Sequence, residues 1–178
     1  MNGENGIIFR EVQRFHQRWL WVLIIAWALW LIGLFGYGMV QQLVFGKPWG
    51  DRPMSDTALT VVGTLAILFA IGIVALFAST RLITEVRTDG LYIRFVPFHL
   101  SFRRIPLEDL AGFEARRYRP IREYGGWGIR FGRRGRAYNV SGNRGVRIDY
   151  ANGRHILIGS QQADELAQAI GSILRKAF

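Results

Sequence analysis

Cysteine is absent from this sequence, and lysine is almost absent. Without cysteine, disulfide bonds, thiolate metal sites and thiol nucleophiles are excluded. Because only Lys47 and Lys176 are lysine, the formal net charge of +10 comes almost wholly from arginine. A basic excess indicates an anionic partner, which is a lipid surface, a nucleic acid or an acidic protein face. A genome-wide bias toward arginine is the alternative explanation and stays open.

Charge of either sign is missing from two long stretches. No charged residue occurs from Trp19 to Gly46 or from Thr57 to Thr80. A helix of about 20 apolar residues can cross the hydrocarbon core of a bilayer. In lipid each backbone group must be bonded within its own segment, which favours helices. The sequence therefore predicts a transmembrane helical hairpin over residues 19–80, with spans at 19–44 and 57–80.

The same two stretches also lack histidine, so an ion or proton pathway through them is not expected. Basic residues flank the hairpin on its outer ends, whereas the connecting loop holds only Lys47 and Arg52. Under the positive-inside rule both termini face the cytoplasm. We therefore expect a multi-pass protein of the cell (inner) membrane. The flanking arginines are Arg10, Arg14 and Arg18 before the hairpin and Arg81, Arg87 and Arg94 after it.

Residues 1–18 precede the first predicted span. Ile8, Val12, Phe15 and Trp19 recur at helical spacing, with charged residues on the remaining face. Such a pattern predicts an amphipathic cytoplasmic segment that lies among the lipid headgroups. A plain cytoplasmic extension of the first helix is the alternative.

Beyond Arg81 the apolar period changes from helical to alternating, which is typical of half-buried antiparallel strands. Thr88-Asp89-Gly90 and Asn152-Gly153 are turn signals between such runs. We predict about seven strands in residues 81–178. They are Leu82–Arg87, Leu91–Val96, Phe98–Arg103, Gly112–Tyr118, Gly128–Phe131, Tyr138–Val140 with Val146–Tyr150, and Arg154–Ile158.

One amphipathic helix is predicted to end the chain. Ser160 is its expected N-cap, and acidic residues follow early, as the helix dipole favours. Its apolar stripe consists of Leu166, Ile170, Ile173 and Leu174. The predicted fold class is therefore an α+β membrane protein, with the hairpin followed by a small antiparallel β-barrel or sandwich that this helix caps.

The order of these elements resembles a known family. A strand, Thr88-Asp89-Gly90, a second strand, the element Ile105-Pro106-Leu107-Glu108-Asp109-Leu110 and a closing helix resemble the bacterial pleckstrin-homology-like domain. The resemblance covers residues 81–176, and the hairpin resembles uncharacterised prokaryotic membrane proteins that carry such domains. It implies a seven-stranded barrel capped by a helix and no settled activity.

The candidate functional site is the most basic region of the domain, together with the unusual stretch Tyr124-Gly125-Gly126-Trp127-Gly128. Arginine can direct two donors at one phosphate, so these residues predict contact with anionic headgroups or a protein partner. A solvated basic face and a core tryptophan at a bulge are the alternatives. Phosphoinositide-binding relatives carry their basic motif in the first hairpin, which is a tight turn here. The candidate residues are Arg116, Arg117, Arg119, Arg122, Trp127, Arg130, Arg133, Arg134 and Arg136.

No catalytic residue, metal ligand set or cofactor is predicted. His16, His99 and His155 are isolated in the sequence, and Asp149 is expected as a cross-strand neighbour of His155. We expect a non-catalytic, membrane-anchored interaction module that binds a protein partner, a second copy of the chain or an anionic lipid surface. An accessory subunit of a larger membrane complex is the alternative. Nucleic-acid binding, with stacking on Tyr118, Tyr124 and Trp127, is the less favoured one.

Overall fold

A computed structural model describes residues 6–107, 110–132 and 135–177, apart from the side chains of the last two of these. The chain divides into two compact units. One unit is helical and runs from His16 to Ala78. The other combines the chain up to Phe15 with the chain from Ser79 onward.

The helical unit contains α1, Arg18–Met39, which continues as a π-helical turn over Val40–Val44, and α2, Asp56–Ser79. The two helical stretches are 27 and 24 residues long, and in their most apolar windows only 6% and 11% of residues are buried. The predicted helices are therefore confirmed as helices. By length and composition both could cross a membrane.

A folded loop connects α1 to α2. The Gln42 side-chain amide donates to the Met54 carbonyl at 2.7 Å and to the Asp56 carboxylate at 2.8 Å. The ring of Trp49 lies against Gly38, where an added Cβ would come within 2.6 Å of the ring. Glycine at position 38 is thus required for this contact, which holds the loop against α1.

The other unit contains nine strands and two helices among its described residues, which makes the chain α+β as predicted. The strands are β1 Ile7–Arg14, β2 Arg81–Arg87, β3 Gly90–Val96, β4 Arg103–Ile105, β5 Leu110–Arg117, β6 Gly128–Phe131, β7 Gly135–Asn139, β8 Arg144–Tyr150 and β9 His155–Gly159. The helices are α3, Pro120–Tyr124, and α4, Ala163–Ala177.

These strands form two separate sheets and not a closed barrel. The four-stranded sheet has the order β1-β2-β3-β4, and the five-stranded sheet has the order β5-β8-β9-β7-β6. All neighbours are antiparallel except β7 and β9, which are parallel. Of the two predicted architectures, the sandwich of sheets is closer to the observed one.

The first strand replaces a predicted helix. Residues 7–14 pair with β2, with a register shift between Ile7 and Phe9, whereas the spacing of Ile8 and Val12 predicts an amphipathic helix. Ile8 and Val12 are in fact exposed, and the buried positions of this strand include Glu11 and Gln13. Because polar residues occupy its buried face, the alternation that marks a strand is hidden in the sequence.

Glu11 connects this first strand to the last helix. The Ser160 hydroxyl donates to one oxygen of the Glu11 carboxylate at 2.6 Å, and the Gln161 backbone N–H donates to the other at 2.9 Å. Ser160 also accepts a hydrogen bond from the Gln162 N–H. A buried carboxylate in this position interacts favourably with the positive end of the α4 dipole. Ser160 therefore acts close to its predicted capping role, just before the helix begins.

Both sheets and α4 share one hydrophobic core. The helix contacts β5 and β8 of one sheet and β1 and β2 of the other. Leu166, Ile170 and Ile173 of the predicted apolar stripe are buried in this core. Its largest fully buried side chains include Phe95, Leu91, Ile148, Ile158, Leu166 and Ile170.

Three details of the domain differ from the sequence prediction. The strand expected at Phe98–Arg103 is wrong, because β4 covers only Arg103–Ile105 and Leu100 is exposed instead of buried. The short helix α3 is not foreseen. Tyr138–Val140 with Val146–Tyr150, predicted as one strand unit, is instead divided between two strands, β7 and β8, which each pair with β9.

The β-rich domain is interrupted in sequence by the helical unit. Arg14 at the end of β1 lies opposite Arg81 at the start of β2, although the whole helical unit separates them along the chain. Only Thr80 lies between α2 and β2, and residues 15–17 lie between β1 and α1. The structure thus adds β1 to the domain expected over residues 81–178.

We predict that residues 16–79 can be replaced by an Asn-Gly turn without loss of the domain fold, because the flanking strands are already antiparallel neighbours. The shortened chain should be soluble and give a dispersed NMR spectrum. The matched control is a fragment of residues 81–178, which lacks β1 and Glu11 and should aggregate or give broad signals. Equal dispersion and stability of the two chains would contradict this role of β1.

Candidate functional site

The chain crosses the outer face of the five-stranded sheet between β5 and β6. These strands lie at opposite edges of the sheet, so residues 118–127 must pass over the strands between them. Tyr118 is buried there against Ala137 and Leu157, with Tyr124 packed on the group. This crossing segment therefore covers a second, small apolar cluster and presents its other side to solvent.

The helix α3 gives the crossing segment its rigid shape. Pro120 occupies its first turn, and Gly125 ends it in a left-handed conformation with φ of 72°. The Glu123 carboxylate accepts the Arg119 backbone N–H at 2.7 Å and pairs with Arg116 at 3.1 Å. One acidic side chain thus caps the helix and neutralises one candidate arginine.

The other arginines in the crossing segment and at the adjoining end of β5 are exposed. Arg117, Arg119 and Arg122 form no ion pair with any carboxylate among the described residues. Ile121 lies among them with 66% of its surface exposed. We name Arg117, Arg119, Ile121 and Arg122 the crossing-segment surface. It combines free guanidinium groups with one exposed apolar side chain.

A second group of candidate arginines lies on the hairpin of β6 and β7. The Arg130 guanidinium donates to the Trp127 carbonyl at 3.0 Å, and the Arg136 guanidinium lies over the Phe131 ring at 5.3 Å. Phe131 is largely exposed. The predicted site residues Arg133 and Arg134 lie outside the described residues.

Sheet order separates the strands that carry two of the candidate arginines. Arg116 is on β5 and Arg130 is on β6, at the two edges of the five-stranded sheet. The Arg130 guanidinium nevertheless lies at the end of the crossing segment, where it donates to the Trp127 carbonyl. That the candidate residues bind one partner together stays a prediction.

Trp127 has a structural partner. Its indole N–H donates to the Gly142 carbonyl in the turn between β7 and β8 at 3.1 Å, and the ring is half-buried. Gly125, Gly126 and Gly128 all have positive φ, a conformation that glycine adopts readily. The stretch forms a bend that places Trp127 on the neighbouring turn.

A polar group lies beside the apolar cluster on the same face. Asp149 is opposite His155, as predicted, and pairs with Arg147 at 2.8 Å. The Tyr124 hydroxyl is 3.5 Å from His155 Nε2. Partial burial, followed by the nearby Arg147 charge, lowers the pKa of His155, and burial raises the pKa of Tyr118 to about 12. These groups are therefore neutral near pH 7, apart from the Arg147–Asp149 pair.

Among the residues that the structure describes, no group of three or more His, Asp or Glu side chains is placed to hold a metal ion.

The sequence reading missed the role of His99. Its side chain is buried, and its ring Nδ1 accepts a hydrogen bond from the Phe95 backbone N–H at 3.2 Å. The backbone N–H of His99 donates to the Phe95 carbonyl at 2.7 Å. Burial, with a smaller effect of Arg103, lowers the pKa of His99 and favours the neutral ring that accepts this bond. His99 is buried between two exposed apolar residues, which is the reverse of the usual alternation, so the residue types alone gave no signal of this role.

We predict that Gly126→Ala opens the β6–β7 hairpin more readily than the wild-type chain does. Gly126 has φ of 120°, and an added Cβ would lie 3.1 Å from Arg130 Nη2. The expected cost is about 1–3 kcal/mol in the free energy of opening. Hydrogen exchange of the β6 and β7 amides measures it.

Gly112→Ala is the matched control, because an added Cβ there meets no atom within 4 Å and the backbone is not left-handed. Its opening free energy should change by less than about 0.5 kcal/mol. Equal effects of the two substitutions would show that the bend before Trp127 does not need glycine.

Comparison with known proteins leaves the activity open. No curated protein and no solved structure matches the chain. One family, described as a family of unknown function, matches it over residues 1–177. Because this match covers nearly the whole sequence, the protein belongs to the family of unknown function DUF6141.

Proposed function

We propose that this protein is a non-catalytic, membrane-anchored interaction module. In this proposal α1 and α2 cross the cell membrane as a hairpin, and the basic domain on the cytoplasmic side binds an anionic lipid surface or a protein partner. One observation carries it: two long, apolar, largely unburied helices are inserted between two paired strands of an arginine-rich domain. Such an insertion ties the domain to the membrane by two short connections.

The apolar side chains that α1 and α2 expose support the membrane part of the proposal. Their outward side chains include Trp, Leu, Ile, Val and Phe residues, which are costly to hydrate. Within the helices the described charged residues lie only at the ends, at Arg18 and Asp56. A soluble protein would bury such faces, whereas a bilayer solvates them.

The distribution of basic residues supports the cytoplasmic placement of both termini. Arg10, Arg14 and Arg18 precede the hairpin, and Arg81 follows it directly. The loop between the helices carries Lys47 and Arg52 together with the acidic Asp51. Since lysine and arginine near span ends favour the cytoplasmic side, the domain is proposed to lie there.

The crossing-segment surface supports binding to an anionic partner. Its three arginines have no described carboxylate partner, so an incoming phosphate or carboxylate breaks no existing ion pair. A basic side chain near an anionic leaflet contributes about 1 kcal/mol. Tyr118 is buried and Tyr124 is packed against it, which leaves these rings poorly placed to stack on bases. The surface thus favours lipid or protein over nucleic acid.

The domain is also proposed to be pleckstrin-homology-like. Two sheets that share a core with a C-terminal helix are consistent with such a domain. The observed domain has nine described strands and draws its first strand from before the helical unit, so it would be an enlarged and interrupted version.

Assembly with a partner in the membrane is the second candidate. An added Cβ at Gly33, Gly36 or Gly72 would meet no atom within 4 Å, so these positions leave room for another helix to approach. This observation supports an accessory subunit or a homo-oligomer. Chemical cross-linking in native membranes distinguishes these two assemblies.

We predict that the full-length protein stays in the membrane pellet after a carbonate wash. The two apolar helices should hold it there, because the wash removes proteins bound only by charge. A reporter fused after Phe178 should be active only when the cytoplasmic form of that reporter is used. Release into the supernatant, or activity outside the cell, would contradict the anchored topology.

We further predict that anionic lipid protects the crossing segment from hydrogen exchange. The test uses the full chain in nanodiscs with and without an anionic lipid, at low and moderate salt. Protection of residues 117–124 should appear only with anionic lipid and should weaken with salt, since salt screens exposed charges.

The double variant Arg119→Gln with Arg122→Gln should lose most of this protection. Arg154→Gln with Arg175→Gln, at exposed positions in the turn before β9 and near the end of α4, removes the same two charges and is the matched control, which should retain the protection. If wild type and double variant showed the same protection, the crossing-segment surface would not be the lipid contact.

A further inference from the structure

The loop between β3 and β4 exposes two large apolar side chains. Leu100 is 90% exposed and Phe98 is 59% exposed, and both belong to residues 97–102, which join the two strands. Exposed apolar side chains grouped in one loop mark an interaction surface more often than chance exposure does. The structure of this loop and its position in the sheet indicate which kind of partner covers it.

The loop has a fixed shape, which His99 provides. The His99 ring is buried with its edge toward the Tyr138 ring, and two hydrogen bonds tie the residue to the backbone of Phe95. Arg94 Nε also donates to the His99 carbonyl at 3.3 Å. Because His99 is held inward, its neighbours Phe98 and Leu100 are directed outward. Their exposure is therefore a built feature of the fold.

The loop leaves the sheet at the end where the chain departs for the helical unit and returns from it. Val96, the last residue of β3, is opposite Arg81, and Arg81 is opposite Arg14. The two peptide units from Ser79 to Arg81 reach at most about 7 Å. If α2 spans the membrane, as the proposed function holds, chain length alone keeps this end of the sheet close to the lipid surface.

The charges at this end fit a lipid surface. Arg14 and Arg81 are directly opposite each other, both are exposed, and neither forms an ion pair with a described carboxylate. Like charges in directly opposite positions repel, and an anion between them relieves the repulsion. Arginines beside exposed apolar residues are typical of segments that lie in the headgroup region.

We propose that the β3–β4 loop is a second membrane contact, in which Phe98 and Leu100 enter the headgroup region of the cytoplasmic leaflet while Arg14 and Arg81 bind lipid phosphate. This inference rests on the proposed function and deepens it. The contact would hold the domain in one orientation against the bilayer. The choice of lipid over a protein partner or a second copy rests on the short connection to α2 and on the unpaired positive charge.

The absence of cysteine gives a direct test in the full-length protein. Leu100→Cys is labelled with an environment-sensitive fluorophore and the chain is placed in nanodiscs that contain anionic lipid. Position 100 is almost fully exposed, so the substitution removes no core contact. Asn152→Cys, in the exposed turn before β9, is the matched control.

The expected result is a blue-shifted emission at position 100 and several-fold stronger quenching by lipids that carry a shallow nitroxide than at position 152. Equal emission and equal quenching at both positions, with the chain still in the disc, would overturn the loop contact and leave the anchor intact. A blue shift that rises with protein concentration and ignores nitroxide lipid would assign the loop to a second copy and also overturn it. Failure of the chain to enter the disc would overturn the proposed function itself.

Discussion

The pairing of β1 with β2 is the constraint on which the rest of the structure depends. The two strands come from opposite ends of the helical unit, yet they are paired from Ile7 and Arg87 to Arg14 and Arg81. Arg10 lies 3.4 Å from the buried Glu85 carboxylate across this ladder, and Glu11 accepts hydrogen bonds at the start of α4. The N-terminal strand thus joins the four-stranded sheet to the C-terminal helix.

This arrangement makes the helical unit an insertion in a folded domain and not a leader in front of it. In the anchored state that we propose, both β1 and β2 connect directly to the membrane helices, through residues 15–17 and Thr80. Closing the long insertion costs conformational entropy, which the contacts of the β1–β2 ladder oppose.

The exposed basic charge lies in several places with different surroundings. The crossing-segment surface carries arginines without described carboxylate partners around Ile121, whereas the β6–β7 hairpin holds Arg136 over Phe131. In a third place, Arg14 at the end of β1 lies opposite Arg81 at the start of β2. Each combines guanidinium groups with nearby apolar side chains, which is the chemistry that recognises an interface between water and lipid.

Local signals in the sequence were enough to predict a large part of this fold. The two helices follow from long uncharged runs, α4 follows from its apolar stripe, and the turns at Thr88-Asp89-Gly90 and Asn152-Gly153 follow from their residue types. Each of these features is decided within a few turns or residues of chain. Interactions far apart in sequence were not predictable in this way.

The errors share one cause, which is burial that residue type does not reveal. β1 was hidden because Glu11 and Gln13 occupy its buried face, and Phe98–Arg103 imitated a core strand although Leu100 faces solvent. The buried polar contacts of Glu11 and His99 hold β1 and the β3–β4 loop in place. These contacts form no pattern that can be recognised in the sequence.

Disulfide cross-linking in the full-length, cysteine-free chain tests the central pairing most directly. Val12 lies opposite Ile83 in the ladder, so the pair Val12→Cys with Ile83→Cys should cross-link under mild oxidation. Ile8→Cys with Val12→Cys should not, because four residues of a strand span about 13 Å. If instead positions 8 and 12 could be joined by a short bifunctional thiol reagent while positions 12 and 83 could not, the N-terminal segment would be helical and the interrupted domain would be refuted.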